Sequence, residues 1–251
     1  MKANIIAFCN HKGGVGKTTS VASIGSILAE KGNKVLLIDM DAQANLTFAL
    51  TDGEEGNRST YNALRDRKDI PQVQIANNLY LCPSSLDLAA VEAEIAGTIG
   101  RERALEKALA PLRGSYDFIL IDCAPSLGLL LINALTAADE VYIPLTAETL
   151  PYKGLTSLEG VIAQVQEYLN PSLKVGGIFF TRWSGRKLNK VIAEAAVEQY
   201  QSILLDTKVR ENIAVAEAPL QRESILTYAP ESNGAKDYLA LTEEILTRCG
   251  Q

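Results

Sequence analysis

Residues 10–19 read Asn-His-Lys-Gly-Gly-Val-Gly-Lys-Thr-Thr, and they are the most informative stretch of the sequence. It follows a short apolar run, Asn4–Cys9, and precedes Lys17–Lys31, where apolar residues recur at helical spacing. Strand, glycine-rich loop and helix in this order are typical of a phosphate-binding loop. Glycines let backbone N–H groups close on phosphate oxygens, and the helix adds the positive end of its dipole. The stretch therefore predicts a nucleotide-phosphate site.

Two residues of this loop have expected roles and one departs from the general pattern. Lys17 would contact the β- and γ-phosphates, and Thr18 would ligate Mg²⁺. The pattern G-x-x-x-x-G-K-[ST] lacks its first glycine, because His11 stands there, and an extra lysine, Lys12, follows it. A glycine-rich turn with two exposed lysines is the alternative. For His11 we expect a capping or loop-packing role, since the chain has no other histidine to share a metal.

Acidic residues end two further apolar runs. Ile119–Asp122 ends with one acid, and a strand that supplies a carboxylate to Mg²⁺ is expected to end in this way. Leu36–Asp41 ends with two, and in an extended chain Asp39 and Asp41 share a face. An acid there could orient the attacking water of phosphoryl transfer. For Asp39, capping a helix or turn is the alternative.

Composition limits the class of protein. The chain has 251 residues, of which 47% are apolar and 22% charged, which excludes a disordered chain. The longest charge-free apolar stretch, near Leu127–Ala138, is too short to span a membrane, and the first residues resemble neither a signal nor a transit peptide. We expect one cytoplasmic domain, 1–251, with four widely spaced cysteines present as reduced, buried thiols.

Apolar runs and helical patterns alternate along the chain. Continuous apolar strands separated by helices predict an α/β fold: a mostly parallel, twisted sheet with helices on both faces. Thr51–Ser59 is the expected mobile loop. The predicted strands are Asn4–Cys9, Val35–Ile38, Leu79–Cys82, Phe118–Ile121, Val141–Leu145 and Val175–Phe180. The predicted helices are 17–31, 86–112, 127–137, 153–169, 187–202 and 235–247.

Several motifs together resemble the ParA/MinD ATPases, a P-loop family with a deviant Walker A motif. Lys12–Thr19 resembles that motif, Asp39–Asn45 its switch I (DxDPQGN), and Asp122–Gly128 its switch II (DxxPSLG). Ala42 and Ala44 replace the proline and glycine of switch I, which we expect to reshape its backbone. Further stretches resemble the ParA/Soj branch, so that the resemblance covers nearly the whole chain: Pro83–Leu88, Ala216–Pro219 and Tyr228–Tyr238.

The resemblance implies ATP as substrate, Mg²⁺ as cofactor and a role for each motif residue. Lys12 would reach the partner's phosphates in an ATP-state homodimer, Asp41 would position the hydrolytic water, and Asp122 would hold Mg²⁺ through water. Asp39 would support the metal shell from further out. The implied nucleotide-binding residues are Gly13, Gly14, Val15, Gly16, Lys17, Thr18, Thr19 and Pro219.

Basic residues are unevenly distributed in a chain of net charge −6. Residues 168–193 contain five basic residues and no acid. ParA/Soj proteins bind DNA non-specifically, so the resemblance implies DNA contacts here, whereas a solvated helix face is the alternative. Trp183 could stack on DNA or adenine, or pack in the protein. The candidates are Lys174, Arg182, Arg186, Lys187 and Lys190, with Lys208, Arg210 and Arg222 as extensions.

The resemblance also implies a biological role. The expected protein is a slow ATPase that partitions or positions a plasmid, a chromosome or a protein organelle such as a carboxysome, stimulated by a ParB-like adaptor. It would associate with the nucleoid in the ATP state. The alternatives are a MinD-like membrane-associated regulator and an ATP-binding scaffold without hydrolysis. Because helix 235–247 is acidic on balance, we expect no membrane partner.

Overall fold

The computed structural model describes residues 2–51, 58–67, 69–147 and 152–250, with the side chains of 152–154 left out. Most of Thr51–Ser59, the predicted mobile loop, lies outside these ranges.

An eight-stranded sheet forms the centre of the described structure, in the order β3-β4-β2-β5-β1-β6-β7-β8. Its neighbouring strands run parallel, except for the antiparallel pair β3–β4 at one edge. This confirms the predicted fold class. The strands are β1 Asn4–Phe8, β2 Val35–Met40, β3 Val73–Ala76, β4 Leu79–Cys82, β5 Phe118–Cys123, β6 Glu140–Thr146, β7 Lys174–Trp183 and β8 Leu204–Arg210.

Helices cover both faces of this sheet, and every residue of β2 and β5 is buried. Strands buried on both faces have no polar alternation, which is why their sequences are continuously apolar up to the terminal acids. The helices are α1 Lys17–Glu30, α2 Asn45–Leu50, α3 Thr60–Asp66, α4 Leu88–Glu94, α5 Ala104–Leu109, α6 Leu129–Ala137, α7 Tyr152–Tyr168, α8 Lys187–Tyr200, α9 Ile213–Glu217, α10 Ile225–Tyr228 and α11 Asn233–Arg248.

The structure corrects several of the predicted elements. The single helix predicted over 86–112 is wrong: α4 and α5 are separate, and Gly100, at φ 69°, precedes a 3₁₀ turn at Arg101–Arg103. A left-handed residue cannot continue a right-handed helix. The edge strands β3 and β8 were not predicted, because half-exposed strands mix polar and apolar residues.

The last described helix, α11, buries its apolar face inside the protein. Tyr238, Leu241 and Ile245 belong to the cluster formed with α1 and the sheet. In the described ranges, no helix combines the length and apolar character needed to cross a bilayer.

Candidate nucleotide site and basic surface

Three neighbouring strands bring the predicted phosphate loop and the acidic residues together. In the sheet order β2-β5-β1, Asp39 pairs in register with Asp122, and Asp122 pairs with Phe8 at the end of β1. The loop that follows β1 therefore lies at the same sheet edge as both carboxylates. Ligands of open α/β sheets bind at this carboxyl edge.

The phosphate loop is held in shape from both sides. The Asn10 side chain donates to the Pro144 carbonyl (2.8 Å) and accepts from the Lys12 backbone N–H (3.0 Å). The Thr181 hydroxyl donates to the Val15 carbonyl (2.7 Å). Gly14 has φ 71° although a Cβ there would meet no atom within 4 Å, so glycine is needed for its backbone conformation. Neither Asn10 nor Thr181 was singled out from the sequence.

Lys17 crosses the inside of this loop. It is buried at the first turn of α1, and its ammonium donates to the Lys12 carbonyl (3.3 Å). Lys12 itself is exposed, while Thr18 and Thr19 are half-buried at the start of the helix. The structure thus gathers the predicted phosphate-binding residues Gly13, Gly14, Val15, Gly16, Lys17, Thr18 and Thr19 in one turn.

Asp122 is the least satisfied polar group of the site. Its side chain is 1% exposed, and neither carboxylate oxygen has a hydrogen-bond partner among the described residues. Burial raises the pKa of this carboxyl well above its usual range, and the Asp39 charge raises it further, while the Lys17 charge opposes the shift. A buried carboxylate without partners, beside a threonine hydroxyl, fits a divalent cation that keeps part of its water shell.

Asp39 and Asp41 have different surroundings. Asp39 is fully buried and accepts hydrogen bonds from the Thr47 N–H (2.9 Å), the Thr47 hydroxyl (2.7 Å) and the Asp41 N–H (3.1 Å). Burial raises its pKa to about 6, although these three bonds lower it. Asp39 therefore caps the first turn of α2, the alternative that the sequence left open. Asp41 is half-buried, and its carboxylate accepts from the Gln43 N–H (3.0 Å).

Ala44 and Pro219 complete the site. Ala44 directly precedes α2 at φ 51°, a left-handed conformation that glycine adopts without steric cost. Ala44, which replaces the glycine of switch I, therefore adopts this conformation at the cost of local strain. Pro219 and Thr19 line the same groove, between α1 and the segment around α9 and α10.

The comparison with known proteins fits this geometry. Residues 3–175 match a family described as an AAA domain. The chromosome-partitioning ATPase Soj of Treponema pallidum is 39% identical over 98% of this chain and 98% of its own. The chain belongs to the ParA/Soj family of ATPases. The match with Soj includes both ends of the sheet, so it extends well beyond the phosphate loop.

Solved structures similar to this ParA/Soj chain contain nucleotides. Cobyrinic acid a,c-diamide synthase from Mycobacterium smegmatis, with ADP and magnesium bound, is 34% identical over 99% of this chain and 96% of its own (TM-score 0.87). A Borrelia burgdorferi plasmid partition protein bound to AMPPNP is 29% identical over 99% and 98% (TM-score 0.81). The two names describe different activities on one fold, so function must be argued from the site.

The basic residues of this family member do not form one surface. Arg182, Arg186, Lys187 and Lys190 are exposed at the carboxyl end of β7 and the first turn of α8. Lys174 is the first residue of β7 and lies at the opposite sheet edge, about 30 Å away for a ten-residue strand. The length of the strand therefore separates Lys174 from the other four residues, although they are neighbours in sequence.

Contacts that the sequence did not reveal engage three of the predicted residues: Arg210, Lys208 and Arg182. Arg210 donates three hydrogen bonds to the Asp237 carboxylate of α11, one from its backbone N–H (2.9 Å) and two from its guanidinium group (2.9 and 2.6 Å). Its side chain is therefore bound within the protein. Lys208 lies over the Trp183 ring, 5.5 Å from its centroid, and Trp183 packs on Phe180. Arg222 is exposed beyond Pro219. Arg182 pairs with Glu211 at 3.5 Å, an exposed contact of about 0–1 kcal/mol.

Proposed function

We propose that this chain hydrolyses ATP to ADP and phosphate with Mg²⁺, and uses the cycle to partition or position a cargo. The observation that carries the proposal is the buried, unpartnered carboxylate of Asp122 beside a preformed phosphate loop. Thr18 and Asp122 would hold Mg²⁺, which neutralises charge on the transferred phosphoryl group. The ADP and magnesium bound to the M. smegmatis structure, and the AMPPNP bound to the B. burgdorferi structure, support this assignment.

The protein residues would share the remaining work. Lys17 and the loop N–H groups bind the β- and γ-phosphates, and Thr19 contacts the α-phosphate on the side of the groove that Pro219 also lines. Asp41 orients the attacking water. Lys12, exposed on the loop, would reach the phosphates bound by a second copy of the chain, which couples dimerisation to ATP. Asp39 would support the residues around Mg²⁺ from its buried position.

The ATP-bound dimer would bind DNA without sequence preference. The four exposed residues at the end of β7 and the start of α8 lie at the carboxyl edge of the sheet, as the nucleotide site does. Four residues in each of two subunits allow about eight phosphate contacts, which gives a salt slope of about −7. DNA contacts at this edge can therefore respond to the nucleotide.

The cargo role is proposed from the family and its named members. Soj of T. pallidum is named as chromosome-partitioning, and the B. burgdorferi protein as a plasmid partition protein. We infer a slow ATPase that a ParB-like or analogous adaptor stimulates, associated with the nucleoid while ATP is bound. Such a cycle needs low basal turnover, below the roughly 1–10³ s⁻¹ of ordinary enzymes.

The test is binding of random-sequence duplex DNA with no nucleotide, with ADP, and with ATP and Mg²⁺. Asp41→Ala should bind DNA in the ATP state for longer than the wild type, because ATP persists. Lys190→Ala should lower the magnitude of the salt slope by about 2, since each substitution removes a contact in both subunits. Lys174→Ala, the matched control at the opposite edge, should leave the slope unchanged. If ATP dimerises the protein but DNA never binds, the DNA-binding part of the proposal is wrong.

A further inference from the structure

A buried network of hydrogen bonds links Asp41 to the segment that follows β4. Thr47 of α2 is 1% exposed, and its hydroxyl donates to Asp39 Oδ2 (2.7 Å) while accepting from the Ser84 backbone N–H (2.9 Å). Asp39 Oδ1 accepts from the Asp41 N–H (3.1 Å). The path from Ser84 to Asp41 therefore runs through one hydroxyl and one carboxylate.

The two middle members of this network have little freedom. The Thr47 hydroxyl uses its single proton on Asp39 and a lone pair on Ser84. Asp39 Oδ2 accepts from both the N–H and the hydroxyl of Thr47, and Asp39 Oδ1 accepts from the Asp41 N–H. Since Asp39 is fully buried, water cannot replace a lost donor without opening the fold. Removing the Thr47 hydroxyl would leave Asp39 Oδ2 with the Thr47 backbone N–H alone, and would therefore loosen the carboxylate that holds the Asp41 backbone.

We propose that Thr47 is a positioning residue for hydrolysis: it fixes the Asp39 carboxylate, which in turn holds Asp41 where it orients the attacking water. The inference rests on the proposed ATPase function. Thr47 does not touch the phosphate loop among its described hydrogen bonds, so its loss should affect the hydrolytic step and leave nucleotide binding intact. Hydrogen-bond partners that orient the ligands of a metal site typically contribute about 10–100-fold to metal affinity or activity, and we expect an effect at the lower end of this range here.

The experiment compares Thr47→Val, which keeps the shape and removes the hydroxyl, with Thr47→Ser, which restores it. Thr242→Val is the matched control, since Thr242 is also fully buried in a helix, but within the described structure its hydroxyl donates only to the Tyr238 carbonyl of α11 (2.7 Å). For each variant, kcat and KM for ATP, the Kd of a non-hydrolysable ATP analogue and the Tm are measured beside the wild type.

The proposal expects kcat of Thr47→Val to fall about 10-fold, KM and Kd to stay within about twofold, and Thr47→Ser to recover most of the rate. Thr242→Val should keep the wild-type kcat. An unchanged kcat in Thr47→Val would overturn the proposal.

Two further outcomes are also decisive. If kcat, Kd and Tm of Thr47→Val and of a second variant, Thr47→Ala, fall together and Thr47→Ser does not rescue them, Thr47 is structural and the proposal is overturned. If the wild type itself binds but does not hydrolyse ATP, the proposed ATPase function has failed, and the positioning role fails with it. The wild-type measurement thus distinguishes the two failures.

Discussion

Ala44 holds a backbone conformation that favours glycine, which leads to a prediction at the scale of one residue. At φ 51° its Cβ crowds the following carbonyl, a strain of about 1–2 kcal/mol. Ala44→Gly should therefore raise the free energy of unfolding by up to about 1 kcal/mol, since glycine's greater chain entropy offsets part of the relief. Urea denaturation with an unchanged m-value measures this. Ala49→Gly, inside α2, should instead cost about 1 kcal/mol. If Ala44→Gly lowered the free energy of unfolding as much as Ala49→Gly does, Ala44 would not be strained.

Asp122 illustrates how a site residue can lower stability. Its buried oxygens have no partners within the described residues, so Asp122→Asn should raise the Tm of the nucleotide-free protein and abolish the further rise that ATP and Mg²⁺ produce. Asp39→Asn is the contrast, because it disturbs three formed hydrogen bonds and should lower the Tm. Thermal denaturation with and without ATP and Mg²⁺ measures both. If nucleotide-free Asp122→Asn had a lower Tm than the wild type, the Asp122 charge would be compensated in the folded protein and the prediction would be wrong.

At the scale of elements, α11 completes the exposed edge of the sheet. Glu244 accepts from the backbone N–H groups of Asp206 (2.8 Å) and Thr207 (2.9 Å) in β8, groups that would otherwise be open to another strand. Glu244→Ala should cost about 1–3 kcal/mol. Glu243→Ala is the adjacent control, and should cost under about 1 kcal/mol because its ion pair with Lys31 is exposed. Equal costs in urea denaturation would contradict this role.

The Glu244 contact also predicts a pH dependence. Although burial raises the Glu244 pKa, the bonds from Thr207 and Asp206 and the charge of Arg248 outweigh it, so the pKa lies below its usual 4.5. A carboxyl with a lowered folded-state pKa stabilises above its unfolded pKa and loses that effect as the pH falls. The difference between wild type and Glu244→Ala should therefore shrink below about pH 4.5.

Sequence patterns predicted the elements of the centre of the sheet better than those of its periphery. The continuous apolar strands ending in Asp39 and Asp122 are readable because both faces are buried. Edge strand β8 depends on Glu244 and Asp237 of α11, which lie 38 and 27 residues further along the chain than the β8 residues they bind. The network through Thr47 and Ser84 is likewise formed only by tertiary contact, and no local pattern indicates it.

Dimerisation is the prediction that belongs to the whole molecule. Lys12 is exposed on the loop while Lys17 is buried in it, so the two lysines should have separable effects. Lys12→Ala should keep ATP binding within a few-fold but lose the doubling of mass that we expect with ATP and Mg²⁺. Lys17→Ala should lose both. Light scattering with a nucleotide titration measures them, and an ATP-dependent dimer of Lys12→Ala would contradict the role of Lys12.

The most direct test of the account is phosphate release from ATP by the wild type and by Asp41→Ala, at saturating ATP and Mg²⁺ with DNA present. Asp41 is half-buried beside the Asp39 cap, so its loss should spare nucleotide binding. We expect slow turnover by the wild type, and ATP binding without measurable release by Asp41→Ala. Release at the same rate by both proteins would contradict the assignment of Asp41, and binding without release by the wild type would contradict the ATPase function itself.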